Sequence, residues 1–503
     1  MEGLESILSL KMDSSKAAVS RMVGKATKPK AIQRATINQK IIRKLRDSPS
    51  APWERLAELE KTCLDYFRSI KSTPETEQLH KDTISQLSFQ HDLLKSLNQI
   101  PYVLFGMAAF KIYVVPAMSL ILPITAWILP YIIIRYGYKI PMDFSKYSEL
   151  LQKMWFGGER SFVQIALFLF SFAQSLIQPI QNAFHYHTTD KVISEVGSAI
   201  LEVRDQIELL RTEFKEKKIP FHFTTVLQDF SDKRRSFMTV YENRAILDAV
   251  FDNLGELEVL WSLSQNSSFR DVQYIKSDTP FLQIEGLQDF QISPEKRVKS
   301  SVYLHKESHH CLVTGPNGGG KSSSLRGILQ SVLMGQTFGV ACVDKMIFTP
   351  FSWVSSGLQI KDAAGSKSMF ESEVRFASTL LQPKAGLGLL LYDEIFHSTN
   401  PPDCARTAKV FLEQLWRRPT IVSFISTHVF DLASTAPESI QKLCVSGVYD
   451  DEKTDHILFD YKLKKGISTI SSVDTILRKE GLLPVDRAQT SPVKKVLEGR
   501  NEL

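Results

Sequence analysis

Residues 310–322 read HCLVTGPNGGGKS, an apolar run of strand character followed by a glycine-rich turn that ends in Lys321 and Ser322. Helical spacing resumes from Ser323 to Met334. Strand, Gly-x-x-x-x-Gly-Lys-Ser and helix in that order form the context in which such a loop cradles phosphates. Gly315, Pro316, Asn317, Gly318, Gly319 and Gly320 form the cradle, because glycines let backbone N–H groups close around phosphate oxygens. Lys321 supplies a cation to the β- and γ-phosphates, Ser322 offers its hydroxyl to Mg²⁺, and Ser323 lies in the first helical turn. ATP and Mg²⁺ are therefore the expected cofactors.

Outward from the loop, two more strand ends carry chemistry. Leu387 to Tyr392 is an apolar strand ending in Asp393 and Glu394. An acid there can hold the Mg²⁺ shell, and the next carboxylate can orient or deprotonate the attacking water. Thr420 to Ser426 is a further strand, ending at Thr427 and His428, whose imidazole can reach a γ-phosphate. Glu394 and His428 are thus the candidate catalytic residues, with Ser322 and Asp393 as metal ligands.

In detail the pattern resembles the MutS family ATPase, on Thr314 to Ser322, Asp393 to Ile395, Thr399 to Asp403 and Ser426 to His428. Asp362, Gly365, Ser368, Phe370 and Glu373 resemble the family's signature segment, and Leu254 to Leu263 resembles the end of its core-helix domain. The resemblance implies an α/β phosphate-loop ATPase domain of ABC/MutS type that works as a homodimer with composite ATP sites, Ser368 completing the partner's site. It also implies a DNA-binding role. The sequence departs from the family at Gly318 (usually Met), Met369 (usually Thr) and Phe396-His397-Ser398 (usually Gly-Arg-Gly). Phe214-Lys215-Glu216 carries the letters of the family's mismatch-reading wedge but lies in a charged helical run.

The 503 residues leave room for two to four compact units, at about 150 residues each. Hydrophobic residues at 43% and charged residues at 23% exclude a disordered or fibrous chain. The five cysteines are scattered and never spaced C-x-x-C, which argues against a disulfide framework and a zinc site. The formal charge of +6 is concentrated before residue 50, from Lys11 to Arg46. Residues 1–50 read as a basic flexible arm, suited to nucleic-acid phosphates or anionic lipid or simply solvated. A secretory signal is not expected, since acids and Lys11 interrupt Leu4, Ile7 and Leu8.

Residues 51–99 form an expected helical module, with Leu56, Leu59, Cys63, Leu64 and Phe67 at helical spacing. Residues 100–181 are an expected hydrophobic transmembrane or re-entrant hairpin. Tyr113 to Ile134 carries no charge, enough residues to cross a bilayer core of roughly 30 Å. Its prolines, Pro116, Pro123 and Pro130, suit a membrane helix better than a soluble one. Phe162 to Ile177 is the candidate return span, and a buried helical hairpin is the alternative. Residues 182–268 read as an all-α lever, residues 269–484 as the ATPase domain and residues 485–503 as a tail. The expected location is a membrane, with the ATPase facing the cytosol. Two functions remain open: a membrane-anchored MutS-like ATPase acting on DNA in repair or recombination, or a nucleotide-switched membrane scaffold that binds no DNA.

Overall fold

The structure is a computed structural model that describes residues 4–482 except 5–6, 48–51, parts of 71–92, 157–161, 224–229, 305–307, 359–368, 397, 399, 450–456 and most of 469–481. Among the described residues, eight α-helical segments come first: α1 (Asp13–Val23), α2 (Ala31–Leu45), α3 (Trp53–Ile70), α4 (Pro101–Gly137), α5 (Phe144–Phe156), α6 (Phe162–Glu216), α7 (Lys233–Glu242) and α8 (Ala245–Gln265). The chain divides into two compact units, one of residues 1–10, 16–48 and 256–503, the other of residues 11–15 and 49–255.

In the second unit, apolar periodicity produces the expected helices. Ile193, Val196, Ile200, Val203, Ile207 and Leu210 bury one stripe of α6. Against it lie α3, tied by the Arg55 guanidinium donating to both oxygens of Glu202 at 2.6 and 2.7 Å, and α7, tied by Arg234 to Asp190 at 2.7 Å. Gly197 lets α7 come close, since a Cβ there would lie 2.0 Å from the Lys233 carbonyl oxygen. Phe214 is buried and stacks near Phe221 and Phe223, so the Phe-x-Glu letters serve packing.

The apolar stretch forms one helix, α4, with a mean hydropathy of 2.1 over a window of which none is buried. Two π-helical turns interrupt it, at Phe110–Val114 and Ile133–Gly137. Pro116 has no N–H for the Ile112 carbonyl, and the Val115 N–H bonds back to Phe110 instead. Helix α6, which contains the candidate return span, runs 55 residues through Pro179 and crosses the expected boundary at 181 without a break. Only α4 among the described helices is long and apolar enough to cross a membrane.

Residues 1–50 differ from the expected flexible arm. Within the first unit, α2 buries Ala31, Ala35, Ile41, Ile42 and Leu45. Asn38 donates to the Thr337 carbonyl at 2.8 Å, and the Gln39 amide donates to the carbonyls of Val272 (3.0 Å) and Gly339 (2.7 Å). Arg43 meets Asp271 at 2.5 Å. The basic residues of α2 lie on the other face, so charge density hid an amphipathic stripe, Ala31, Ala35, Gln39, Ile42 and Leu45, with steps of three and four residues.

The rest of that unit is α/β. Its elements are β1 (Arg270–Asp271), β2 (Gln273–Tyr274), β3 (Leu282–Leu287), β4 (Ser300–Tyr303), β5 (His310–Thr314), α9 (Lys321–Phe338), β6 (Val340–Ala341), β7 (Lys345–Phe348), β8 (Trp353–Gly357) and α10 (Met369–Leu381). Then follow β9 (Gly388–Tyr392), α11 (Pro401–Leu415), β10 (Ile421–Ser426), α12 (Phe430–Ser434), β11 (Gln441–Tyr449) and β12 (Ile457–Lys465). A six-stranded sheet has the order β12-β11-β5-β10-β9-β8, parallel except for β12. A four-stranded sheet has the order β2-β7-β3-β4, and β1 pairs with β6. Strands β5, β9 and β10 are buried on both faces, which explains their unbroken apolar sequences. A core of Leu390, Tyr392, Phe396, Phe411, Leu412 and Ile425 lies between this sheet and α11.

Candidate functional site

Because β5, β10 and β9 are adjacent and parallel, their carboxyl ends open onto one crevice, the usual ligand position in such sheets. The loop after β5 turns into α9 through Gly315 and Gly320. Gly315 has φ +149°, and a Cβ would lie 2.8 Å from the Val445 carbonyl oxygen; Gly320 has φ +100° and abuts Tyr461. Both positions therefore need glycine. Pro316, Asn317, Gly318 and Gly319 complete the turn, with the Gly319 N–H bonded to Pro316 at 3.2 Å. Ser322 and Ser323 stand in the first turn of α9, at the positive end of its dipole.

Lys321 is buried, and its Nζ donates to the carbonyls of Gly315 (2.9 Å) and Pro316 (3.1 Å). Burial holds its pKa below the usual lysine value, against an upward pull from Glu394 and then Asp393. A phosphate would supply the anionic partner that this desolvated ammonium needs.

From β9, Asp393 follows the buried Tyr392. Ser426 at the end of β10 joins the two strand ends: its hydroxyl donates to Asp393 Oδ1 at 2.5 Å and accepts the Glu394 N–H at 2.8 Å. Glu394 (φ +52°) and Phe396 (φ +56°) are left-handed, a strained turn for residues with side chains. The Glu394 carboxylate meets His428 Nε2 at 2.7 Å, with both side chains 37% exposed. The five side chains Lys321, Asp393, Glu394, Ser426 and His428 thus sit at three neighbouring strand ends. Sequence reading assigned four of them a role and passed over Ser426, although it stood in the quoted Ser-Thr-His run.

Beside the loop is a cavity of about 590 Å³. Its wall adds Leu287, Ile292, Arg297, Val298 and Tyr461 to Lys321 and Glu394, giving an apolar side for a base and a polar side for phosphates. None of these five residues was legible as part of a motif, because they come from β12 and from the segment between β3 and β4, far from the loop in sequence. Among the described residues no group of three or more His, Cys, Asp or Glu could hold a metal alone. Mg²⁺ here would rely on Ser322, Asp393 and the phosphate oxygens of a nucleotide.

Ser368, with Asp362 and Gly365, lies outside the described residues. Glu373 of the same segment is buried and accepts the Ser398 hydroxyl at 2.5 Å. Phe396, which stands where the family pattern has glycine, is buried against Tyr392 and Phe411, so this departure adds to the unit's own core.

Residues 311–483 match the family model described as MutS domain V. The chain is 25% identical over 267 residues to a DNA mismatch repair protein MutS of Geobacillus sp. (strain WCH70), covering 52% of this chain and 30% of that protein. It is 22% identical over 294 residues to the MutS protein of Thermotoga maritima, covering 58% and 34%. It is 21% identical over 316 residues to that of Streptococcus agalactiae serotype Ia, covering 61% and 34%. The chain spans about a third of the length of the curated relatives it matches. With phosphate loop, acidic pair and histidine converging at three strand ends, the geometry agrees with the likeness of residues 311–483 to MutS domain V.

Proposed function

We propose that this chain is a Mg²⁺-dependent, MutS-type ATPase, anchored in a membrane by α4, in which ATP binding closes a homodimer and hydrolysis reopens it. The observation that carries the reading is the chain of hydrogen bonds joining Asp393, Ser426, Glu394 and His428, at the same crevice as the buried Lys321. Lys321 and the first turn of α9 bind the triphosphate. Ser322 and Asp393 would hold Mg²⁺, which would supply neutralising charge at the phosphates. Glu394, held in place by His428, stands where a carboxylate can accept a proton from, or orient, the attacking water. Ser426 keeps the two acids in register by bonding one through its hydroxyl proton and the other through its lone pair.

Measured on the full chain, Lys321→Ala is expected to abolish ATP binding, because it acts on ground-state phosphates. Glu394→Gln is expected to retain binding and lose turnover by 10²-fold or more, on the order of a lost general base. Equal loss of binding in both variants would remove Glu394 from the catalytic role.

The large exposed apolar surface of α4 favours a second reading, a nucleotide-switched membrane scaffold that touches no DNA. Salt-dependent binding to duplex DNA by the detergent-purified chain supports action on DNA; binding to anionic vesicles alone supports the scaffold.

A further inference from the structure

Where α4 and α6 cross there is a cavity of about 330 Å³ that the nucleotide chemistry does not use. It is lined by Lys111 from α4 and by Ser175, Gln178, Asn182 and Tyr186 from α6. The Lys111 Nζ stands 5.7 Å from the centre of the Tyr186 ring, and the Tyr186 hydroxyl is held by Gln86. No carboxylate lines the cavity.

The regular helical hydrogen-bond pattern is locally disturbed on both sides. Lys111 lies in the π-helical turn Phe110–Val114, and Pro179 deprives the Ser175 carbonyl of its helical N–H partner. Such turns put a side chain off the regular helical stripe and recur at functional sites.

Depth fixes the kind of ligand. From Lys111 to Arg135 the helix carries no charge and spans roughly 36 Å at about 1.5 Å per residue. A bilayer core of roughly 30 Å leaves both cations just outside the hydrocarbon, at headgroup level. Arg135 is already engaged there, over the rings of Tyr131 and Tyr136. Around Lys111 the exposed side chains Phe110, Tyr113, Ile177 and Phe184 provide an apolar and aromatic rim suited to acyl chains and the interface.

We propose that this cavity binds the headgroup of an anionic phospholipid, with Lys111 pairing the phosphate and Gln178 and Asn182 donating to its oxygens. The proposal rests on the membrane reading of α4. It differs from a free-phosphate site in needing the acyl chains, which the apolar rim would cover.

The test uses the full chain reconstituted into phosphatidylcholine vesicles with a minor fraction of phosphatidylglycerol, with lipid retained by the protein counted by native mass spectrometry. Wild type is expected to retain phosphatidylglycerol roughly five-fold over its share, the order expected for one basic residue near the surface. Lys111→Gln is expected to lose that enrichment, Lys111→Arg to keep it, and Arg135→Gln to leave it unchanged, with ATP binding intact in all three. Equal enrichment in Lys111→Gln would overturn the site, as would displacement of the lipid by inorganic phosphate or by short duplex DNA. Flotation with vesicles but no enrichment in wild type removes the headgroup site alone; failure to float removes the membrane reading with it.

Discussion

Gln39→Met keeps nearly the same volume on the buried face of α2 and removes the amide that ties α2 to two loops of the unit that carries the phosphate loop. The amide donates to Val272 at 3.0 Å and to Gly339 at 2.7 Å. Gly339 keeps a second partner, the Val272 N–H at 3.0 Å, so its loss is that of one ordinary hydrogen bond, about 1 kcal/mol. The Val272 carbonyl loses the Gln39 donor in a buried setting, which costs about 1–3 kcal/mol. The expected destabilisation is thus about 2–4 kcal/mol, or roughly 4–16 °C in the midpoint of a unit this large. Lys40→Met, one residue on and exposed, changes the midpoint by under about 0.5 kcal/mol equivalent. Thermal unfolding of the full chain in detergent, followed by loss of ATP binding, reads the difference. A Gln39→Met midpoint within error of Lys40→Met would refute the reasoning and return residues 31–45 to the status of a dispensable arm.

Burial, reinforced by His309, lowers the His310 pKa to about 4, well below the ordinary value of 6.5. Its neutral form is therefore favoured in the fold, and the associated stability, at most about 3 kcal/mol, is complete above pH 6.5 and lost as pH falls towards 4. His310→Gln should flatten that part of the wild-type stability profile, and an unchanged difference between the two profiles across this window would contradict it. Mixing Ser368→Arg with Lys321→Ala chains, each inactive alone, should restore one working composite site; verified mixed dimers without activity would argue against shared sites. Finally, the full chain is expected to resist extraction by high salt and carbonate and to be released by detergent, whereas purely electrostatic attachment is screened by salt. Release by salt alone would leave α4 as something other than a span.

The candidate nucleotide site was legible because the chemistry proposed for it restricts residue types at fixed spacing. A buried lysine after glycines, an acidic pair closing an apolar strand and a histidine closing the next can be read before any coordinates. Ser426 and Tyr461 were not, since a serine at a strand end and a tyrosine in an edge strand have many other uses. Only strand order β5-β10-β9 and the β12 hairpin bring them to the loop. The helices of the second unit followed from periodicity, but the continuity of α6 did not. The boundary expected at 181 falls inside one helix, which accommodates Pro179 and the passage to charged residues from Asp190 onward. On α2, lysines and arginines dominate the composition, and Ala31, Ala35, Ile41, Ile42 and Leu45 emerge as a face only when read around a helix.

The uninterrupted 55-residue course of α6 has a mechanical meaning. At about 1.5 Å per residue it is a rod of roughly 80 Å, apolar at its first end and charged at its last. Helices bend gently and stretch little, so tilting such a rod by about 5° sweeps its far end through roughly 7 Å, more than one helical pitch. Under the membrane anchoring proposed above, a bilayer whose thickness set the angle of the apolar end would act on the charged end as a hand acts on an oar, and the chain length of the surrounding lipids would become a variable to which the stroke responds.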